Sequence, residues 1–251
     1  MVEAASQVGA DACKIQTHYG ADLSPTFQDR KAHVEGYELS AKEHQLFVKW
    51  CESSKVLPVT SVYSDAYCDL LRDAGFTTLK LGSAESMRPG LAQKLILQGF
   101  RVWASTGGQH VGELKLPKQT EMIFHCKSKY PHSPYESGLL RMFALRDKFP
   151  ESKVGFSSHV DPTHPHWALP LEYACLLGAK AIEVHFTLLP RGKTKDGVVS
   201  LTPLQLAHIC KFDKLPLSEK PIPESFGIWY TKEDEEEKAL ISHYAKRWSK
   251  E

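Results

Sequence analysis

Two stretches of the chain, VGFSSHV (154–160) and AIEVHFT (181–187), run through β-branched and aromatic residues to reach a histidine, His159 and His185. Neutral imidazoles offered from neighbouring strands suit a divalent transition ion, with open positions left for water and substrate. Taken singly, a strand histidine is more often a hydrogen-bonded core residue, so the weight rests on the pair. Other β-type runs also end on polar residues: Lys14 and Gln16, Ser61, Lys80 and Ser83, Ser105 and Thr106, His125, Ser157 and Glu183. Two lysines among converging hydroxyls supply the charge and donors that a phosphate or carboxylate dianion needs.

These residues converge only if the runs that carry them lie side by side. The runs are ACKIQTH (12–18), VLPVTSV (56–62), TLKLGS (78–83), RVWAST (101–106), MIFHCKS (122–128), KVGFSSH (153–159) and AIEVHFT (181–187). Most are continuously apolar rather than alternating, as expected for strands covered on both faces. Helix patterns separate them. Ser40 with Glu43 forms a capping box ahead of Leu46, Phe47, Trp50 and Cys51; Ser64 caps a helix presenting Cys68 and Leu71. Pro165 opens a helix presenting Trp167, Leu171, Ala174 and Cys175, and Thr202, Pro203 and Gln205 give cap, first-turn proline and box partner for another. Repeated βα units in one domain of this length favour a TIM-type (β/α)8 barrel over a doubly wound sheet. In a barrel, strand C-terminal ends share one rim, which is where the polar residues above stand. Seven strands are recognisable and MVEAASQVGAD reads as a helix, so the first strand is expected to be missing.

Composition narrows the classes. The chain has 251 residues, 42% hydrophobic and 24% charged, with net charge +1. No basic stripe points to nucleic acid or an anionic membrane. No apolar run approaches the ~20 residues that span a bilayer, and the N-terminus lacks the basic start and apolar stretch of a signal peptide. Six cysteines without a CxxC pair read as free thiols in a reducing cytoplasm.

In its motifs the chain resembles the N-acetylneuraminate (sialic acid) synthases, which condense phosphoenolpyruvate with an N-acetylated hexosamine. The resemblance runs through GADACKIQT (9–17), LKLGSAES (79–86), STGG (105–108), HCKSKYPHSPYE (125–136), GFSSH (155–159) and GAKAIEVHFTLLPRGKTKDGVVSLTP (178–203). Enzymes making legionaminic or pseudaminic acid share these motifs, so they define the family and not the sugar. The resemblance implies that His159 and His185 hold a divalent cation, commonly manganese, with magnesium, cobalt or zinc as other choices. It implies that Lys14 and Lys80 grip phosphoenolpyruvate, with Ser61, Ser83, Ser105, Tyr130 and Ser157 around its phosphate. Gln16 and Asp196 fall where the family contacts the amino sugar, and Lys80, Glu85 and His185 at catalytic positions. The implied product is a nine-carbon 2-keto acid plus phosphate.

The chain departs from the family pattern in four places. The family's first strand carries a metal-proximal glutamate, and MVEAASQVGADACKIQT matches the helix that follows that strand. Ser158 replaces an aspartate, and DPTHPHW is an insertion bringing His164 and His166. Residues 1–220 are expected to form the barrel, and residues 221–251 a C-terminal extension where relatives carry an antifreeze-like domain. The stretch TKEDEEEKALISHYAKRWSKE reads as an amphipathic helix with Leu240, Ile241, Tyr244, Ala245 and Trp248 on its apolar face and a solvated acidic start. A homodimer or this extension would cover the edges left by the missing strand. These departures set a second reading beside the enzyme: a homologue that binds phosphoenolpyruvate or sugar without turnover. A third is a barrel of other aldolase-like chemistry.

Overall fold

Each apolar run becomes a strand because helices cover its outer face while the other strands cover its inner one. The computed structural model describes residues 1–220 and 235–247. Its strands are β1 (Ala12–Thr17), β2 (Leu57–Val62), β3 (Thr78–Leu81), β4 (Arg101–Ser105), β5 (Met122–Cys126), β6 (Lys153–Ser158), β7 (Ile182–Phe186) and β8 (Ser200–Leu201). They pair in parallel in the order of the chain. The architecture is that of a TIM-type (β/α)8 barrel. The seven strands expected from the sequence are β1 to β7. The eighth is a two-residue piece held on His185 and Phe186, too short to leave an apolar run. Among the described residues no ladder joins β8 to β1.

Helices lie between the strands at Ala41–Ser53, Cys68–Ala74, Leu91–Leu97, Arg141–Lys148 and Leu169–Leu176, and Pro203–Lys214 follows β8. Both expected capping boxes form: Ser40 with Glu43, and Thr202 with Gln205. Ser64 caps a short 3-10 turn, Asp65–Tyr67, that leads into Cys68–Ala74. The helix expected to open at Pro165 starts instead at Leu169. DPTHPHW is held as turns by Asp161, whose carboxylate accepts the Thr163 N–H at 2.8 Å and whose carbonyl accepts the His164 N–H at 3.1 Å.

Leu79, Leu81, Val102, Ala104, Ile123 and Phe156 are fully buried and form the centre of the main core. Gly155 in β6 makes room for Phe124 on β5, since a Cβ there would lie 2.9 Å from Phe124 Cδ1 and 2.8 Å from the Ala181 carbonyl. Every residue of β3 and β5 is buried, whereas β1 and β7 are partly exposed along most of their length. All six cysteines are free; Cys51, Cys68, Cys126 and Cys175 are buried. Among the described residues no helix is long and apolar enough to cross a membrane.

The expected C-terminal helix is present as Glu235–Ala245. Ile241 is buried as expected of an apolar face, but Leu240 is 39% exposed. Trp248 and the expected domain boundary, which adjoins residues 221–234, lie outside the described residues.

Candidate active site

The barrel brings the charged strand ends together in its interior. Lys80 projects from β3, only 3% exposed, with its ammonium 4.4 Å from the centre of the Phe124 ring. It makes a short ion pair with Glu183 of β7. The Ser157 hydroxyl donates to the same carboxylate at 2.9 Å, and Lys14 Nζ donates to Ser61 Oγ at 3.1 Å. Burial alone would raise the Glu183 carboxyl, but Lys80, Lys14 and the hydrogen bonds outweigh it and hold the group well below the usual carboxylate range. Burial pushes the Lys14 ammonium down, with Glu183 opposing. Two lysines therefore face one carboxylate, Lys80 by a direct ion pair and Lys14 at longer range, with Asp196 also acting on Lys14.

Beside it stand the two histidines, with ring centres 5.5 Å apart. His159 Nδ1 donates to the Lys127 carbonyl at 2.6 Å, which fixes the tautomer and leaves Nε2 as the acceptor nitrogen. That nitrogen accepts from the Tyr130 hydroxyl at 2.6 Å, and the Tyr130 ring stacks on His159 at 3.8 Å. His185 Nδ1 lies 3.6 Å from Asp196 Oδ2. Burial, reinforced by His185, pushes the His159 imidazole well down; burial also lowers His185 against the pull of Asp196. Both rings are thus neutral near pH 7, as metal ligation requires.

A third group is built from hydroxyls at the ends of β3, β4 and β5. Ser83 Oγ accepts the Gly107 N–H at 3.0 Å and the Ser128 hydroxyl at 3.2 Å. Ser105 is buried at the end of β4. Glu85 is also buried, and burial raises its carboxyl to about 7. On the outer side, Gln16 Oε1 accepts from the Tyr63 hydroxyl at 2.8 Å.

Of the residues expected from the sequence, Lys80 and Ser157 meet on Glu183, Lys14 bonds Ser61 and faces the same carboxylate at longer range, and His159 meets His185. Tyr130, expected in the phosphate cradle, packs on the histidine pair. His164 and His166 gather around Tyr135, whose hydroxyl bonds His166 Nδ1. Glu183 stands among the strand-end residues with no expected role, although its place two residues before His185 puts both on one face of β7. Lys127 and Ser128 fall inside the run MIFHCKS with no expected role; β5 ends at Cys126, and their partners come from elements far along the chain.

A family model described as the NeuB family matches residues 1–214. An N,N'-diacetyllegionaminic acid synthase of Campylobacter jejuni is 25% identical, the match covering 84% of this chain and 68% of that one. An N-acetylneuraminate-9-phosphate synthase of Drosophila melanogaster is 27% identical, covering 84% and 58%. The chain thus spans about three-fifths to two-thirds of the length of these curated relatives. Among solved structures, an N-acetylneuraminic acid synthetase of Leptospira borgpetersenii superposes with a TM-score of 0.76 at 23% identity, over 85% of this chain and 75% of that one. The spore coat polysaccharide biosynthesis protein SpsE of Bacillus subtilis gives 0.74 at 25% identity, over 92% and 67%. With the family model spanning most of the barrel and its motifs gathered at one rim, the chain belongs to the NeuB family.

Proposed function

We propose that the barrel condenses phosphoenolpyruvate with an N-acetylated amino sugar of the N-acetylmannosamine type, giving a nine-carbon 2-keto acid and phosphate. One observation carries this reading: buried Lys80 and half-buried Lys14, with Ser61 and Ser157 bonded among them, adjoin a pair of neutral imidazoles. The first set suits a small dianion and the second a carbonyl-polarising ion.

His159 and His185 would hold a divalent cation: Nδ1 of His159 is committed to the Lys127 carbonyl, so Nε2, which accepts from the Tyr130 hydroxyl, is the nitrogen that would serve the ion. Among the described residues no group of three or more His, Cys, Asp or Glu side chains is placed to hold a metal, so water and substrate oxygens would complete the shell. Manganese, magnesium, cobalt or zinc held there would supply Lewis acidity toward the open-chain aldehyde.

The chain's own residues account for the remaining steps. Lys80 and Lys14 hold the phosphate and carboxylate of phosphoenolpyruvate, and Ser61, Ser83, Ser105 and Ser157 add donors. Held in this way, the enol carbon forms its bond to the aldehyde carbon, and the aldehyde oxygen takes up a proton. Water adds to the adjacent cationic carbon, and the carbon–oxygen bond to phosphate then breaks. Glu85, with its carboxyl near 7, is matched to proton exchange at neutral pH. Gln16 and Asp196, on the outer side, orient the sugar. The free thiols suit a reducing compartment such as the cytoplasm, and the partly exposed strands β1 and β7 suit coverage by a second copy.

The test is release of inorganic phosphate from phosphoenolpyruvate with a divalent cation and a panel of N-acetylated amino sugars. Sugar-dependent release, lost in Lys80→Ala, is expected. Phosphoenolpyruvate binding without release for any sugar would favour a ligand-binding homologue, a reading consistent with Tyr130 already bonded to His159 Nε2. Absence of binding would overturn both.

A further inference from the structure

The C-terminal helix does more than pack on the barrel. Glu237 Oε2 lies 3.0 Å from Lys127 Nζ, with both side chains less than a tenth exposed. Glu237 Oε1 accepts the backbone N–H of Ser128. An ammonium and a backbone amide converging on two oxygens of one anion make a seat that would equally hold two phosphate oxygens. The seat adjoins the phosphate hydroxyls, because Ser128 Oγ bonds Ser83 Oγ. We infer that Glu237 is an internal plug: its carboxylate occupies an anion seat made by Lys127 and the Ser128 amide, and leaves when a phosphate-bearing ligand enters.

This inference rests on the phosphate reading of Ser83 and its neighbours. The helix is built to let go. Among its described side chains only Glu237 and Ile241 are buried within Glu235–Ala245. Ile241 sits directly on Gly108, where a Cβ would come within 2.8 Å of it and 3.0 Å of the Glu237 carbonyl. Gly108 also has φ +65°, which a side chain would strain. At the far end the Arg247 carbonyl accepts the Ser24 N–H at 2.9 Å, and Phe27 packs on His243 at 4.7 Å. A helix of this length is marginal alone in water, so it stays formed by docking. A buried ion pair contributes little net stability once desolvation is counted, so an entering phosphate can replace it at small net cost.

The probe is inorganic phosphate, titrated calorimetrically into the full chain, Glu237→Gln and Ile241→Ser, with thermal melts establishing that each variant is folded. Both variants should bind phosphate about tenfold more tightly than the parent, the factor for a lid shut about 90% of the time. Phosphate should also speed amide exchange across residues 235–245 of the parent. Equal or weaker affinity in either folded variant overturns the plug, as does exchange that phosphate leaves unchanged. If Glu237→Gln is unfolded, Ile241→Ser decides. Phosphoenolpyruvate is titrated separately: a variant that takes up inorganic phosphate but not phosphoenolpyruvate keeps the plug and removes the substrate reading.

Discussion

The arc from β2 to β6 and the seam between β1 and β7 are made of the same kind of strand but live in different surroundings. In the arc, Leu79, Val102, Ile123 and Phe156 are closed off from solvent. At the seam, Cys13, Ile15, Ile182 and Val184 only lean on the core and remain partly exposed. Yet the seam carries Lys14, Gln16, Glu183 and His185, and the arc carries Lys80, Ser157 and His159. The pocket forms where they meet: Glu183 reaches from the least covered strand to Lys80 on one of the most covered. The rigid side positions its charges by packing, and the open side positions its charges by pairing with them.

Truncation should separate the two regions most sharply. Phe124→Ala removes a buried ring from the arc and should cost about 4 kcal/mol, whereas Ile15→Ala at the seam should cost about 1 kcal/mol. Urea unfolding of both measures this, and equal losses would erase the distinction. Glu183→Gln tests the pairing, because it leaves buried Lys80 without its counter-charge and half-buried Lys14 without a nearby carboxylate. It should cost about 3 kcal/mol in the same assay, with Lys80→Met recovering part of the loss; no loss would mean the seam's charges are held by something other than each other.

Acid provides a third contrast, on the arc side. His125 of β5 donates from Nε2 to the Ser137 carbonyl at 2.6 Å and accepts from Arg141 at Nδ1, 3.2 Å away. Burial, with Arg141 beside it, pushes the imidazole down to about 3 from an ordinary value of 6.5. The unfolded chain therefore takes up this proton first. The contribution is complete above about 6.5 and declines as pH falls from there toward 3. Between pH 7 and pH 5 it should remove about 2 kcal/mol of unfolding free energy, a slope that His125→Gln should flatten. A pH-independent denaturation midpoint over that range would count against a buried neutral ring. A similarly small effect is expected at the junction of seam and arc, where helix Ala41–Ser53 joins β1 to β2. Ser40→Ala should cost about 1 kcal/mol, readable in the thermal midpoint, and a larger loss would show that this helix also braces the open edge.

Much of this was legible in the chain because strands buried on both faces leave continuous apolar runs. All seven such runs became strands with ends shifted by no more than two residues. Ser200–Leu201 was not legible, since two residues carry no period and their pairing depends on His185 and Phe186 being in place. The helix start at Pro165 was misread because Asp161 turns the chain locally, and that preference competes with the first-turn role of proline. His159 and His185 could be paired from sequence by their matching strand ends. The partnership of Ser128 with Glu237 could not, because it spans 109 positions with no local signal at either end.

Gly155 gives the Phe124 ring the space it fills, and that ring in turn lies beneath the Lys80 ammonium. A residue with no side chain thus sets, at one remove, where a charge stands in the pocket. Substitution at 155 would shift the ring and, through it, the cation, so drift at these three positions is expected to be concerted. A lineage that enlarged position 155 would have to shrink position 124 to keep Lys80 in place, and chains in which the two sizes vary in opposition would record that constraint as a pairwise trade of volume.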